Sequence, residues 1–350
     1  MPKLSVIVPI YNVEEYLEEC LDSLCAQSFS DFEVLCVNDG TTDASREIAQ
    51  RYADNDPRFV IIDKANGGLS SARNAGILAA LAPWLCFLDS DDFFTGDACE
   101  RIVAAFERTD ADVLTFGAYC YPPSAGFPWL EKHLSPRDIE YHGFSADLIF
   151  KEMSRPFAWR TACKKSFLIE KQLFFDEGLL FGEDQVFHFA LYPRSIKTVL
   201  ASDKLYHYRV SREGSLMHRV NRDRARKSRE HLNIIRKIFA DWESGGFLRD
   251  YPAEMIAWTV DFALLDIMRV EVSERDELVE ELCRIWLCYF PDTEIAGLEL
   301  PKATKALVGA VLYKPQYFMG QRRRLLLYSY DIEQNGIRAV MKDLFRRLRG

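Results

Sequence analysis

Asp89-Ser90-Asp91-Asp92 follows the apolar run Trp84-Leu85-Cys86-Phe87-Leu88 with no transition between them. A short apolar run bounded by polar residues reads as a buried strand. In open α/β sheets, ligands sit at the carboxyl ends of such strands. Carboxylates crowded there repel one another unless a cation is shared. Asp89 and Asp91 therefore point to a divalent metal whose shell is completed by substrate phosphates. The structural alternative is that Asp91 or Asp92 caps a following turn. An EF-hand loop is excluded, because Phe93 replaces the third ligand and no glycine follows it.

Four other segments carry chemistry-bearing residues, each with a structural alternative. In Val37-Asn38-Asp39-Gly40-Thr41-Thr42-Asp43, Asp39 can accept a hydrogen bond from a nucleobase N–H. Equally, Asp39-Gly40 is a turn, and Thr42 or Asp43 can cap the next helix. The glycine-rich loop from Asn66 to Gly76 runs into a helix whose N-terminus suits an anion. It is neither a Walker A sequence nor a dinucleotide fingerprint. Arg73 can reach a phosphate or brace the acids at 89 and 91. In Gly182-Glu183-Asp184-Gln185, Asp184 is either an N-cap worth ~1 kcal/mol or a general base, a role worth about 10²–10⁴-fold in rate. A helix N-terminus lowers a carboxyl pKa, so a base there needs desolvation or Glu183 to oppose it. Between Tyr206 and His218, His207 or His218 can ligate a metal and Arg209 can clamp a diphosphate, although a single His is more often structural.

The elements that position these residues alternate along the first third of the chain. Strands are predicted over 4–9, 33–37, 59–62, 84–88 and 113–116, and helices over 14–27, 42–53, 69–81 and 97–108. Such βαβα order gives a mostly parallel, Rossmann-like sheet with helices on both faces. Tyr11 and Asn12, Asn38 and Asp39, Asp63, and Asp89 to Asp92 all follow strands, so they share one rim. Around Tyr121-Pro122-Pro123 the pattern breaks. It stays mixed to about Arg219, then becomes helical over 223–242, 253–272 and 274–289. The expected organisation is a first domain over 1–218, in halves 1–120 and 121–218, and a helical region over 219–350.

Composition limits the partners. The chain has 350 residues, 48% of them apolar and 28% charged, and a net charge of −9 that argues against nucleic acid. No membrane span and no signal peptide are expected. The nine cysteines lack CxxC pairing; Cys20, Cys36, Cys86 and Cys283 read as packed thiols, a cytosolic usage. Residues 321–350 carry seven Arg and one Lys against two Asp and one Glu. Arg338, Lys342, Arg346, Arg347 and Arg349 interleave with apolar residues at helical spacing. That helix can lie on an anionic membrane surface, or pack on its own domain with a solvated basic face.

Taken together, the segments resemble the inverting nucleotide-sugar glycosyltransferases of family 2, which have the GT-A fold. The resemblance rests on Ser5 to Asn12, Asn38 to Asp43, Asn66 to Gly76, Phe87 to Asp92, Glu183-Asp184, and Tyr208-Arg209 with Ser215. It implies that Pro9, Tyr11 and Asp39 hold a nucleoside, Asp39 on a uracil-type base, and that Asn66 and Arg73 line the nucleotide site. It further implies Asp89 at the ribose and metal, Asp91 as a ligand of Mn²⁺ or Mg²⁺, and Asp184 as catalytic base with Glu183 beside it. Arg209, Ser215 and His218 would close over the diphosphate, His218 also at the metal. The implied reaction moves a hexosyl or N-acetylhexosaminyl group from a UDP-sugar to a glycan or lipid-linked acceptor in surface polysaccharide synthesis. The expected location is the cytoplasm, with the basic C-terminal helix, where it meets a membrane rather than its own domain, bringing the chain to the inner face. Two positions depart from the family: Asn38 replaces a common Asp, and Trp159-Arg160-Thr161 lacks the usual Asn-Lys pair. A non-catalytic sugar-nucleotide sensor or scaffold is the alternative, and it would be expected to have lost Asp91 or Asp184. A sugar-1-phosphate nucleotidyltransferase would want a basic glycine-rich loop where Pro9-Ile10-Tyr11-Asn12 stands.

Overall fold

Apolar runs and amphipathic helices alternate to build one mixed sheet. The computed structural model describes residues 1–152, 154–210, 220, 223–313 and 320–336. The chain divides into two compact units, Met1–Glu213 and Gly214–Gly350.

In the first unit the order is β1 (Leu4–Ile10), α1 (Glu14–Cys25), β2 (Phe32–Asn38), α2 (Ser45–Asn55), β3 (Phe59–Asp63), α3 (Leu69–Ala79), β4 (Trp84–Phe87), β5 (Phe93–Phe94), α4 (Ala98–Thr109) and β6 (Val113–Tyr121). There follow α5 (Pro128–His133), β7 (Ile139–His142), α6 (Ala146–Phe150), β8 (Thr161–Lys164), α7 (Lys165–Glu170), α8 (Glu183–Arg194) and β9 (Lys197–Arg209). The sheet order is β3-β2-β1-β4-β8-β6-β9-β5, with β7 paired to β9. β3, β2, β1 and β4 are mutually parallel, as is β6 with β9. β8 runs antiparallel between β4 and β6.

Every residue of β1 and β2 is buried, as expected of strands covered on both faces. Leu4, Val6 and Val8 share a core with Leu17, Leu21 and Leu24 of α1. Ile7 faces the other way, against α3. A Cβ on Gly76 would lie 2.4 Å from the Ile7 side chain, so glycine is what lets α3 pack this close. Two expected boundaries move. α2 starts at Ser45 rather than Thr42, because residues 41–43 are held by the neighbouring loop. β6 continues to Tyr121 rather than stopping at Phe116, passing through a register shift at Gly117.

The second unit is helical among its described residues, with helices Arg224–Ser244, Pro252–Thr259, Val272–Tyr289, Lys302–Tyr313 and Gly320–Asn335. The helix expected over 253–272 is interrupted by a π-helical turn at Val260–Leu264 and ends at Ile267. Trp242 and Trp286 are fully buried, and Trp286 Nε1 donates to Thr259 Oγ1 at 3.0 Å. Among the described residues no helix is long and apolar enough to cross a membrane. Cys20, Cys36 and Cys86 are packed thiols as expected, whereas Cys283 is only half-buried. The basic segment 337–350 lies outside the described residues.

Candidate active site

Strand order creates the crevice. The chain leaves β3, passes through α3 and returns as β4 on the other side of β1, so the order reverses beside β1. At such a switch point the loops after the two strands diverge and leave room for a ligand. Tyr11 follows β1 and is 48% exposed, while Asp89 follows β4. Pro9 lies beyond Ile7↔Phe87, the last rung with β4, so its missing N–H costs no ladder bond there.

The loops after β1 and β2 clamp each other. Asn12, in the left-handed region at φ +50, accepts from Thr41 Oγ1 at 3.0 Å and Thr42 N at 2.9 Å. Asp43 accepts from Glu14 N and Ser45 N, each at 3.0 Å, while Glu14 accepts from Ala44 N at 2.8 Å. Burial opposes ionisation of Asp43, but bonds from Ser45, Thr41 and the Glu14 amide outweigh it and hold its pKa at about 2. The cap position of α2 falls to Ala44, which makes no side-chain cap bond, so neither Thr42 nor Asp43 is the N-cap; Asp43 instead holds Ser45 N from one residue earlier.

Asp39 ties the glycine-rich loop to β2. It accepts from Gly67 N at 2.9 Å and Gly68 N at 2.8 Å, and pairs with Lys64 Nζ at 2.6 Å. Asn66 is exposed, and its backbone lies so near Gly40 that a Cβ there would come within 2.9 Å. Gly40 also has φ +67, so the Asp-Gly turn requires glycine on both counts.

Arg73 joins distant acids. Its guanidinium donates to Asp89 Oδ1 and to Glu183 Oε1, each at 2.8 Å, and lies over the Phe175 ring. Its side chain is only 3% exposed. Of the two expected partners, Asp89 is the one it braces with a direct bond; the other is Glu183, not Asp91. Burial, then the Asp91 charge, push the Asp89 pKa up against the pull of Arg73.

Asp92 is fully enclosed and caps no helix. It accepts from Tyr206 Oη at 2.8 Å and Arg209 N at 2.7 Å, and so fastens β9 to the acidic loop. Burial raises its pKa strongly, with Asp91 and Asp89 adding to the effect. Arg209 Nε donates to the Asp91 carbonyl at 2.9 Å; its guanidinium pairs with Glu19 and lies over Tyr16 and Tyr121. His207 stacks between Phe93 and Tyr119, the structural role that the sequence offers beside metal ligation.

Asp184 is the second residue of α8, not its N-cap; Gly182, at φ +73, holds that position. Asp184 Oδ2 accepts from Phe157 N at 2.9 Å and Oδ1 from Gln185 N at 2.8 Å. Burial raises its pKa; the Phe157 amide, Arg73 and the Gln185 amide oppose, and Asp89 adds to the rise. Glu183 is raised as well, first by burial and then by Asp184. Behind the site Trp159 stacks on Tyr206 and Tyr208, with centroids at 4.1 and 5.1 Å. Arg160 is fully buried, and Thr161 Oγ1 bonds His188 Nε2 at 3.0 Å, so the departure from the family's Asn-Lys pair belongs to the interior.

The acids fit a hard divalent cation. Asp89 and Asp91 offer hard carboxylate oxygens of the kind such a cation takes, and the Asp89 pKa is raised chiefly by burial, with the Asp91 charge adding to it against the pull of Arg73. Among the described residues no three His, Cys, Asp or Glu side chains form a ready ligand set. Ser215 and His218 lie outside the described residues. The sequence assigns no role to Lys64, Phe157, Trp159 or Tyr206. Lys64 had a legible signal, standing on the rim directly after β3; Phe157 acts through its backbone and had none.

The sequence pattern described as Glycosyl transferase family 2 matches residues 5–168. EpsJ of Bacillus subtilis, an uncharacterized glycosyltransferase, is 36% identical over 221 residues, which cover 60% of this chain and 61% of EpsJ. The chain therefore spans less than two thirds of that relative. The glycosyltransferase GlyG of Streptococcus pneumoniae is 31% identical over 222 residues, covering 61% of this chain and 72% of GlyG. Residues 1–349 of Staphylococcus aureus TarS, solved with UDP-GlcNAc, share the fold with a TM-score of 0.73 at 22% identity, over 94% of this chain and 91% of that one. The GT-A arrangement expected from sequence is the one observed. With the pattern on its first half and GlyG matched over most of that protein's length, the chain belongs to glycosyltransferase family 2.

Proposed function

We propose that the protein is an inverting glycosyltransferase moving a sugar from a nucleotide-diphosphate donor, of UDP-sugar type, to a hydroxyl of a glycan or lipid-linked acceptor. The process it serves is surface polysaccharide synthesis. The observation that carries this reading is the Arg73 bridge between Asp89 and Glu183 beside Asp184, which joins donor-side acids to a carboxylate of raised pKa. A UDP-sugar is supported by TarS, solved with UDP and with UDP-GlcNAc and named a poly(ribitol-phosphate) β-N-acetylglucosaminyltransferase.

Tyr11, Asp39 and Asn66 hold the nucleoside along the rim, with Pro9 shaping the end of β1. Asp184 takes the proton of the acceptor hydroxyl, and that oxygen bonds the anomeric carbon on the face opposite the diphosphate. The bond from carbon to diphosphate oxygen breaks as the new one forms, its electron pair leaving on the diphosphate. One displacement inverts the configuration. Arg209, fixed beside Asp91, neutralises the leaving diphosphate. Asp91 and Asp89 are the residues that would hold a Mn²⁺ or Mg²⁺ ion, which would supply further positive charge there. Glu183 stays on Arg73, keeping the acceptor side of α8 fixed to the donor side.

Incubation with a panel of nucleotide sugars and Mn²⁺ tests the reading through transfer or hydrolysis. Absence of any sugar-nucleotide binding defeats it. Peripheral contact with the cytoplasmic face of a membrane is part of the proposal. The Gly320–Asn335 helix buries Tyr330 on one face and exposes Leu325, Tyr328 and Ile332 on the other, near Arg322 and Arg324. Co-sedimentation with anionic liposomes tests this, and equal recovery with neutral liposomes argues against it.

A further inference from the structure

An ionised carboxylate offers about four acceptor sites, and an ammonium has three donors. Asp39 Oδ1 accepts from Lys64 Nζ and Gly67 N, and Oδ2 accepts from Gly68 N. One acceptor site remains, on Oδ2. Lys64 Nζ gives one donor to Asp39 at 2.6 Å and one to the Ala65 carbonyl at 2.8 Å. One donor remains. A spare acceptor and a spare donor therefore stand side by side at the switch-point rim.

The chain holds this pair in place. Lys64 N donates to Asn38 O at 3.0 Å, which anchors the base of the side chain next to Asp39. Gly67 leaves room for the ammonium, since a Cβ there would lie 2.9 Å from Lys64 Nζ and 2.7 Å from Ser71 Oγ. Asp39 N donates to Ile10 O at 3.0 Å, so the pair lies one residue from the exposed Tyr11 ring. The Asp39 side chain is 4% exposed and that of Lys64 21%, so the lysine is the more accessible half.

We propose that Lys64 determines which nucleobase the donor carries, by reading with Asp39 a lactam edge, an N–H next to a C=O. Uracil and guanine present that edge. Cytosine and adenine present the reverse: a ring nitrogen lone pair toward Asp39 and an amino group toward Lys64. A site built to hydrogen-bond one pattern rejects the other strongly, because its buried polar groups are left facing like partners. The inference rests on the crevice being the sugar-nucleotide site.

Calorimetric titration of the full chain with UDP, CDP, 2-thio-UDP and 4-thio-UDP, in the presence of Mn²⁺, tests it. The thio nucleotides keep N3–H and replace one carbonyl oxygen by sulfur, a poor acceptor. The wild-type chain is expected to bind UDP at least about 100-fold tighter than CDP and to lose affinity for one of the two thio analogues. Lys64→Met is expected to bind UDP about tenfold more weakly, to narrow the UDP-to-CDP ratio about tenfold, and to treat that thio analogue like UDP. A variant that keeps the wild-type ratio overturns the proposal. Equal affinity of the wild-type chain for UDP and both thio analogues overturns it too, and needs no variant to fold. A wild-type chain that binds none of the four overturns instead the reading of the crevice on which the proposal rests.

Discussion

Phe157 donates its backbone N–H to Asp184 Oδ2 at 2.9 Å from a φ of +67. A bulky residue in the left-handed region costs about 1–3 kcal/mol and persists only where its surroundings hold it. Here the ring packs against Trp159 and Tyr208, which fix the backbone that aims the amide. With Gln185 N on Oδ1, each oxygen of Asp184 accepts one peptide N–H and keeps a lone pair for a proton.

Asp184→Asn keeps the shape and one acceptor oxygen but not the basicity, and its NH2 group meets one of the two peptide N–H donors. Transfer is expected to fall about 10²–10⁴-fold while UDP-sugar affinity stays within about twofold, because in the proposed mechanism Asp184 acts on the acceptor. Measured kcat and donor Kd separate the outcomes; donor affinity lost together with rate would make Asp184 structural.

The raised Asp184 pKa sets the direction of the pH profile. Burial is the largest cause, and the amide bonds and Arg73 only partly oppose it. A base works ionised, so activity is lost as pH falls through the raised value. The acid limb of kcat/KM is expected above the ordinary aspartate pKa of about 3.9. Glu183→Gln removes a neighbouring negative charge and leaves Arg73 less neutralised, and both changes push the limb to lower pH. A limb that stays put in this variant would separate the two carboxylates electrostatically.

Asp91 and Asp92 are adjacent in sequence, but Asp92 is enclosed and Asp91 is not, and the proposed mechanism gives only Asp91 a ligand role. Asp92→Asn can still accept from Arg209 N and give an amide N–H to Tyr206 Oη, so its stability is expected within about 1 kcal/mol of wild type. Asp92→Ala leaves Arg209 N and Tyr206 Oη short of a partner and should cost about 1–3 kcal/mol. Asp91→Asn should fold normally and lose Mn²⁺-dependent donor binding. Urea melts and donor titrations check all three variants; an Asp92→Ala protein as stable as wild type contradicts the structural role.

The parts legible in the sequence were those encoded locally. β1, β2 and β4 are buried on both faces, so each reads as an apolar run, and the polar residues after them mark the rim. β8 and β7 are four residues each, and β5 two, too short for periodicity to separate from loops. Asp184 looked like an N-cap because an acid usually takes that place; Gly182 took it instead, through a left-handed φ. The partners of Arg73 were only half visible. Asp89 is 16 residues away, but Glu183 is 110 residues on, and no spacing rule links it to the glycine-rich loop.

That long-range pair makes Arg73 the most consequential single substitution in the crevice. Arg73→Met leaves the enclosed Glu183 and the partly exposed Asp89 without their shared cation; a fully buried pair broken this way costs about 3–5 kcal/mol, and the solvent reaching Asp89 makes a smaller loss the expectation here. Arg73→Lys keeps the charge, but a point donor replaces the planar fork that reaches both acids, so an intermediate loss is expected. The deficit should depend on pH. The folded-state pKa values of Asp89 and Glu183 are already raised by burial, and without Arg73 they rise further. The folded state then binds more protons than the unfolded one across the window above about pH 4, so stability falls as pH rises through it. Arg73→Met should therefore lie closest to wild type in mild acid and furthest from it at pH 8. Urea melts at pH 5.5 and pH 8 measure this, and an equal deficit at both would mean that lost packing on Phe175, rather than unpaired charge, is what the substitution exposes.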